Sequence, residues 1–170
     1  STSEMSFRLL TGIVDFLPPS AYAQYLGQIL NFTLNRLQSQ QSKPLAVAIV
    51  HFFSVLVGKH GAVVLVNGFN SVQPQLPPLT LFCQILDQVW ITSSRNITAT
   101  ADRKACAIAF SRILTEIPEL RQGQFAATWA KTLVALLHLM EMPPHNILAK
   151  SNEEVLADLE EAGYSSSASK

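Results

Sequence analysis

Charge is the first thing in short supply: Asp, Glu, Lys and Arg make up 14% of the chain, against roughly a quarter in ordinary globular sequences. A folded chain of 170 residues needs polar surface. The shortage therefore predicts that several helix faces are covered, in part by neighbouring repeats outside this sequence, unless the domain is simply apolar. Basic runs are missing too. Through residue 150 there are eleven Lys and Arg against seven Asp and Glu, but they are scattered and not interleaved with aromatics, so nucleic-acid binding has no footprint. Cysteine is scarce, with Cys83 and Cys106 in apolar stretches and no CxxC spacing. They read as small core residues in a reducing compartment. The start, Ser1-Thr2-Ser3, is no signal peptide, and the sequons at Asn31 and Asn96 read as chance. The longest apolar run, 45–57, is broken by His51 and falls short of the roughly 20 residues that cross a bilayer.

Reactive motifs are absent as well. His51, His60, His138 and His145 show no HExxH or other ligand spacing. No glycine-rich phosphate loop follows a strand pattern, and Ser54 and Ser111 lie in helical stretches without a nucleophile elbow. Glu153-Glu154 and Glu160-Glu161 read as a solvated acidic face within 151–162, which holds five acids and no base. The sequence predicts no catalytic residue, no metal ligand and no cofactor; binding is the expected activity. A helical hydrolase would need a nucleophile and base gathered in space.

What is present is helical periodicity punctuated by proline. Phe7, Leu10, Val14 and Leu17 make 4–17 amphipathic, and Pro18-Pro19 stops it. Tyr22, Tyr25, Leu26, Ile29, Thr33 and Leu37 give a stripe over 20–38. Pro44 opens a helix to Lys59 that is apolar on nearly every side, a helix for the middle of a layer. Beyond Gly61 the pattern predicts a short turn at 62–66, then a kink or loop at Asn67-Gly68. Further helices are predicted at 78–91, at 100–116 with Thr100 as N-cap, and at 123–140. The last of these carries the stripe Phe125, Trp129, Leu133, Leu136, Leu137 and Met140. Ser151-Asn152-Glu153-Glu154 is a capping-box pattern before Val155, Leu156 and Leu159, predicting a short acidic helix ended by Gly163 and a polar tail at 165–170.

These segments pair as helical hairpins over 1–41, 42–97 and 98–143, followed by the acidic helix and Ser-rich tail of 144–170. Ile13-Val14-Asp15-Phe16-Leu17-Pro18 echoes Ile113-Leu114-Thr115-Glu116-Ile117-Pro118, each copy ending a first helix at proline. The fold class expected is all-α, a right-handed superhelical solenoid of HEAT-like antiparallel hairpins, preferred over a closed bundle.

The run from Thr100 to Glu116, TADRKACAIAFSRILTE, resembles a late repeat of the exportin-2 (CAS) family, in the karyopherin-beta superfamily. Phe7-Arg8-Leu9-Leu10, Pro18-Pro19, Asn35-Arg36-Leu37-Gln38, Lys59-His60-Gly61-Ala62, the run Gly68 to Pro74 and Gly163-Tyr164 resemble the same family in the same order. Pro143, Pro144, His145 and Lys150, and Leu76-Pro77-Pro78, depart from its pattern. The resemblance implies the C-terminal part of a nuclear export receptor that binds importin-alpha together with GTP-bound Ran and shuttles between nucleus and cytoplasm. Contacts with nuclear pore proteins are a further implication. GTP belongs to Ran, whose main docking repeats would lie upstream of this sequence. A HEAT scaffold without transport activity is the other reading. In a solenoid the second helix of each hairpin lines the concave side. Polar residues off the buried stripes of those helices are the candidate partner contacts: Asn35, Arg36, Gln84, Asp87, Gln88, Gln124 and Lys131.

Overall fold

The computed structural model describes residues 2–141; the predicted acidic helix and tail, and the loop at 142–150, lie outside the described residues. Seven principal helices carry the fold: α1 (Thr2–Phe16), α2 (Leu26–Ser39), α3 (Lys43–His60), α4 (Ala62–Val72), α5 (Thr80–Ile85, continuing through a π-wound stretch Leu86–Ile91 into Thr92–Ser94), α6 (Thr100–Glu116) and α7 (Ala126–Glu141). Short turns at Pro19–Tyr22, Ala23–Tyr25, Pro118–Arg121 and Gly123–Phe125 lead into α2 and α7. Among the described residues there is no strand.

The helices form two layers. In one, α1 packs on α3 and α3 on α6; in the other, α2 packs on α4, α4 on α5 and α5 on α7. The all-α stack of helix pairs expected from the sequence is what the chain forms. Its middle member, α3, buries Leu45, Ile49, Val50, Phe52, Phe53, Leu56 and Val57, as an all-round apolar helix flanked on both sides must. Ser42 caps it, accepting from the Leu45 N–H at 3.3 Å, with Pro44 in the first turn.

One apolar interior runs through both layers. Its spine is a relay of rings: Phe32 stacks on Phe7, Phe7 meets Phe52, Phe53 meets Phe52, Phe69 and Trp90, Phe69 meets Phe82, and Trp90 meets Phe110. Centroid separations of 5.6–6.5 Å are the favourable range for tilted aromatic pairs. A closed bundle would gather such rings at one centre; here they extend from α1 to α6.

The helix ends are tied across repeats. Lys59 pairs with the Asp15 carboxylate at 2.7 Å and donates to the Asp15 carbonyl at the end of α1. Arg112 of α6 repeats the device one helix on, donating to the Val57 and Gly58 carbonyls at 3.2 and 2.9 Å. Those carbonyls are among the ones a helix C-terminus leaves without an internal partner. Glu116 holds Arg112 at 2.5 Å and accepts from the Ala62 N–H, the first amide of α4, at 2.8 Å. One Arg–Glu pair thus caps α3 and starts α4, fixing the break at Gly61, whose φ of 93° suits glycine.

Leu17 and Tyr25, expected on the stripes of 4–17 and 20–38, are exposed, and four further details differ from the periodicity reading. Asn67-Gly68 is not a loop; it lies inside α4. Gly68 is there for closeness: a Cβ at this position would stand 2.5 Å from the Leu30 Cδ1 of α2. Gly68→Ala is expected to lower stability by about 1–2 kcal/mol, overpacking outweighing helix propensity. Gly12→Ala, whose Cβ meets nothing within 4 Å in α1, is expected to raise it by about 0.5–1 kcal/mol; paired urea unfolding curves check both signs. The second difference is that 92–94 extends α5 instead of opening a loop. Third, α6 is capped at Ala99 without a side-chain bond, Thr100 being its first helical residue.

The fourth concerns α7. Its buried residues are Thr132, Ala135 and Leu139, while Leu137 is 50% and Met140 70% exposed. Trp129 and Leu136 pack against the core as expected. A stripe drawn from sequence assumes a neighbour on every apolar flank. Among the described helices α7 has α5 and α6 on one side and none on the other.

Candidate partner-binding surface

The candidate contacts lie on α2, α5, α7 and, for Gln124, the short turn Gly123–Phe125 that leads into α7, the layer that receives the second helix of each pair. Proline and chain reversal put them there: Pro18-Pro19, Pro77-Pro78 and Pro118 each precede one of these helices. In α5 the π-wound turn at Leu86–Ile91 buries Leu86 and Trp90 and leaves Asp87 and Gln88 off the buried face.

Gln84, Asp87, Gln88 and Gln124 line one shallow groove of about 390 Å³ between α5 and the start of α7, with Thr80, Phe125 and Thr128. Asp87 and Lys131 face each other in the adjoining groove of about 520 Å³, joined by two hydrogen bonds of 2.9 and 3.0 Å from Lys131 Nζ. Their charges answer each other across the α5–α7 seam. The pair is solvent-facing, its side chains 35% and 56% exposed, which keeps its contribution to stability small. Asn35 and Arg36 stand apart on α2. Asn35 is exposed, and the Arg36 guanidinium sits 5.1 Å over the Phe32 ring, a cation–π contact that fixes its direction. The structure therefore gathers five of the seven residues along α5–α7 and leaves two elsewhere.

A larger groove of about 630 Å³ separates α2 from α5. It opens because α4 holds the two helices apart, packing beside Leu26 and Leu30 in the first half of α2. Its walls carry Gln38, Gln40, Gln41, Gln73, Gln84 and Gln88, with Lys43 the one ionisable residue on the lining. Amide side chains both donate and accept, so this wall suits a partner's polar main chain better than a charged motif. Gln38, Gln40, Gln41 and Gln73 were outside the sequence-based set; the Gln38-Ser39-Gln40-Gln41 run was the available signal, but it reads as an ordinary polar turn until the groove is seen.

Reactive chemistry does not gather on this surface. Burial, and after it the Asp87 charge, pushes the Cys83 thiol up to about 11; burial pushes Cys106 to about 12. Both remain protonated at neutral pH. Burial, Lys59 and Arg112 lower the His60 pKa, favouring the neutral ring that hydrogen-bonds the Tyr22 hydroxyl. Among the described residues no group of three or more His, Cys, Asp or Glu could hold a metal ion, and no helix is long and apolar enough to cross a membrane.

Stacked antiparallel helices with a polar, groove-bearing layer define a helical-repeat protein of the kind that presents an extended surface. A family model described as "CAS/CSE protein, C-terminus" matches residues 1–170. The chain belongs to that family. It is 31% identical over 160 residues to Exportin-2 of Drosophila melanogaster, which covers 93% of this chain and 16% of the relative. Exportin-2 of Oreochromis niloticus is 27% identical and that of Homo sapiens 26%, each over 165 residues, 96% of this chain and 16% of the relative. The chain thus spans about one-sixth of the length of the curated relatives it matches. No solved structure matches it.

Proposed function

We propose that this chain is the C-terminal part of a nuclear export receptor, which binds importin-alpha together with GTP-bound Ran and returns it to the cytoplasm. The observation that carries the reading is the match to the CAS/CSE C-terminal model along residues 1–170, on a chain whose helices stack as a repeat array. In this reading the chain works by contact, not catalysis, holds no cofactor, and leaves the nucleotide to Ran, which binds mainly through upstream repeats. Nuclear pore proteins are transient partners, and the receptor shuttles between nucleus and cytoplasm.

The contact surface proposed is the layer of α2, α5 and α7, with Asn35, Arg36, Gln84, Asp87, Gln88, Gln124 and Lys131 as partner residues. Many modest polar contacts along such a face sum to an affinity that no single pocket supplies. In the full-length receptor, Gln84→Ala, Gln88→Ala and Gln124→Ala together are expected to weaken importin-alpha capture about tenfold or more, at roughly 0.5–1.5 kcal/mol per contact. Helical circular dichroism and the melting midpoint should stay as in the parent, since Gln84, Gln88 and Gln124 are exposed. Unchanged capture by the triple variant would move the contacts off this layer.

A further inference from the structure

The groove between α2 and α5 has an aliphatic floor and an amide rim. On the floor Leu81 is buried, and Leu37, Ile85 and Val89 pack against the core. On the rim Gln40 accepts from the Ser3 hydroxyl at 3.0 Å, whereas the side-chain amides of Gln38, Gln41, Gln73, Gln84 and Gln88 bond to no other described residue. These five come from separate places in the chain: the end of α2 and the turn after it, the C-terminus of α4, and α5. An ordinary solvated surface mixes charges of both signs among its polar residues. Here Lys43 alone is ionisable.

The winding of α5 keeps its polar row in line. Residues four apart on an α-helix drift around the axis, because about 3.6 make a turn. The π-wound stretch Leu86–Ile91 turns less per residue. That offsets the drift and leaves Gln84, Gln88 and Thr92 on the same wall. At about 1.5 Å per residue, successive members of the row stand about 6 Å apart. An extended main chain presents N–H and C=O groups to one side at nearly that interval, about 6.6 Å for two residues. Leu81, Ile85 and Val89 repeat the spacing on the floor, where alternate side chains of such a strand would rest.

We propose, on the reading of α2, α5 and α7 as the partner-facing layer, that this groove takes an extended, uncharged segment of the partner. The segment's main chain bonds to the glutamine amides, and its alternate aliphatic side chains lie on the floor. A glutamine amide both donates and accepts, so one residue type answers N–H and C=O alike. A charged segment would lose its water here with only Lys43 to offer a counter-charge. A helical partner bonds its own main chain and would leave the amides unused.

The test uses the full-length receptor with importin-alpha and with Ran carrying a non-hydrolysable GTP analogue. Gln38→Leu, Gln41→Leu and Gln73→Leu together remove the amides but keep similar bulk, and are expected to weaken capture about tenfold. Hydrogen exchange at saturating receptor reads the main-chain bonds themselves. One uncharged stretch of importin-alpha should exchange its amides about tenfold more slowly on the parent than on the leucine variant. A photoreactive amino acid in place of the exposed Gln41, in an otherwise unaltered receptor, should crosslink to that same stretch. Capture without a protected stretch, or crosslinks to a helix or a charged segment, would overturn the groove's assignment and leave the export role standing. No capture by the parent receptor would remove the export role itself, and this occupant with it.

Discussion

Replacing Phe53 by alanine is expected to cost about 3–5 kcal/mol of unfolding free energy, the scale of deleting a fully buried aromatic and leaving a cavity. Phe53 is fully buried and touches the rings of Phe52, Phe69 and Trp90, so it joins α3 to both α4 and α5. No neighbour can collapse into the gap without breaking another ring contact, which places the loss toward the upper end. Phe16→Ala is the control. Phe16 is 85% exposed, and its removal should change stability by no more than about 0.5 kcal/mol. Urea unfolding followed by tryptophan fluorescence reads both, since Trp90 lies in the affected cluster. A midpoint for Phe53→Ala close to that of Phe16→Ala would contradict a continuous core.

Removing the tie between repeats comes next in size. Arg112→Ala deletes the donors to the Val57 and Gly58 carbonyls and to Glu116. The expected loss is about 2–3 kcal/mol, as charge-assisted bonds at a half-buried site. The partner carboxylate gives the pH dependence. Burial alone would raise the Glu116 pKa, but the Ala62 N–H, the Arg112 hydrogen bond and the Arg112 charge outweigh it and hold the group below the ordinary carboxylate range. A carboxylate depressed by folding stabilises the native state above its unfolded pKa, and that stability is lost as pH falls through the folded value. The parent should therefore exceed Glu116→Gln in stability at neutral pH, with the difference shrinking below about pH 4.5. A difference that stays constant to pH 3 would mean that Glu116 is not held in its charged form.

Much of the architecture was legible because it rests on local signals. Prolines at 18, 44 and 118 punctuate helices whatever surrounds them, and the all-round apolar run of α3 announces a helix with neighbours on both sides. The stretch after Gly61 was not legible. Asn67-Gly68 is a turn signal by local chemistry, and only the 2.5 Å approach of Leu30 explains a glycine inside a helix there. The face of α7 was misread in part because periodicity shows which side is apolar, not whether a neighbour reaches it. The same limit applied to the surface: sequence identified the polar positions of α5 and α7, whereas the gathering of Gln84, Asp87, Gln88 and Gln124 around one groove depends on the packing of α5 against α7. Arg36 looked free and is instead engaged with Phe32, four residues earlier on the same helix face.

The most direct measurement of the proposed role is capture of importin-alpha by the full-length receptor containing this chain, with Ran loaded in turn with a non-hydrolysable GTP analogue and with GDP. Capture with the GTP form and little with GDP is the predicted result. Capture that ignores Ran's nucleotide, or its absence in both states, would contradict the export reading and leave a helical stack serving some other partner.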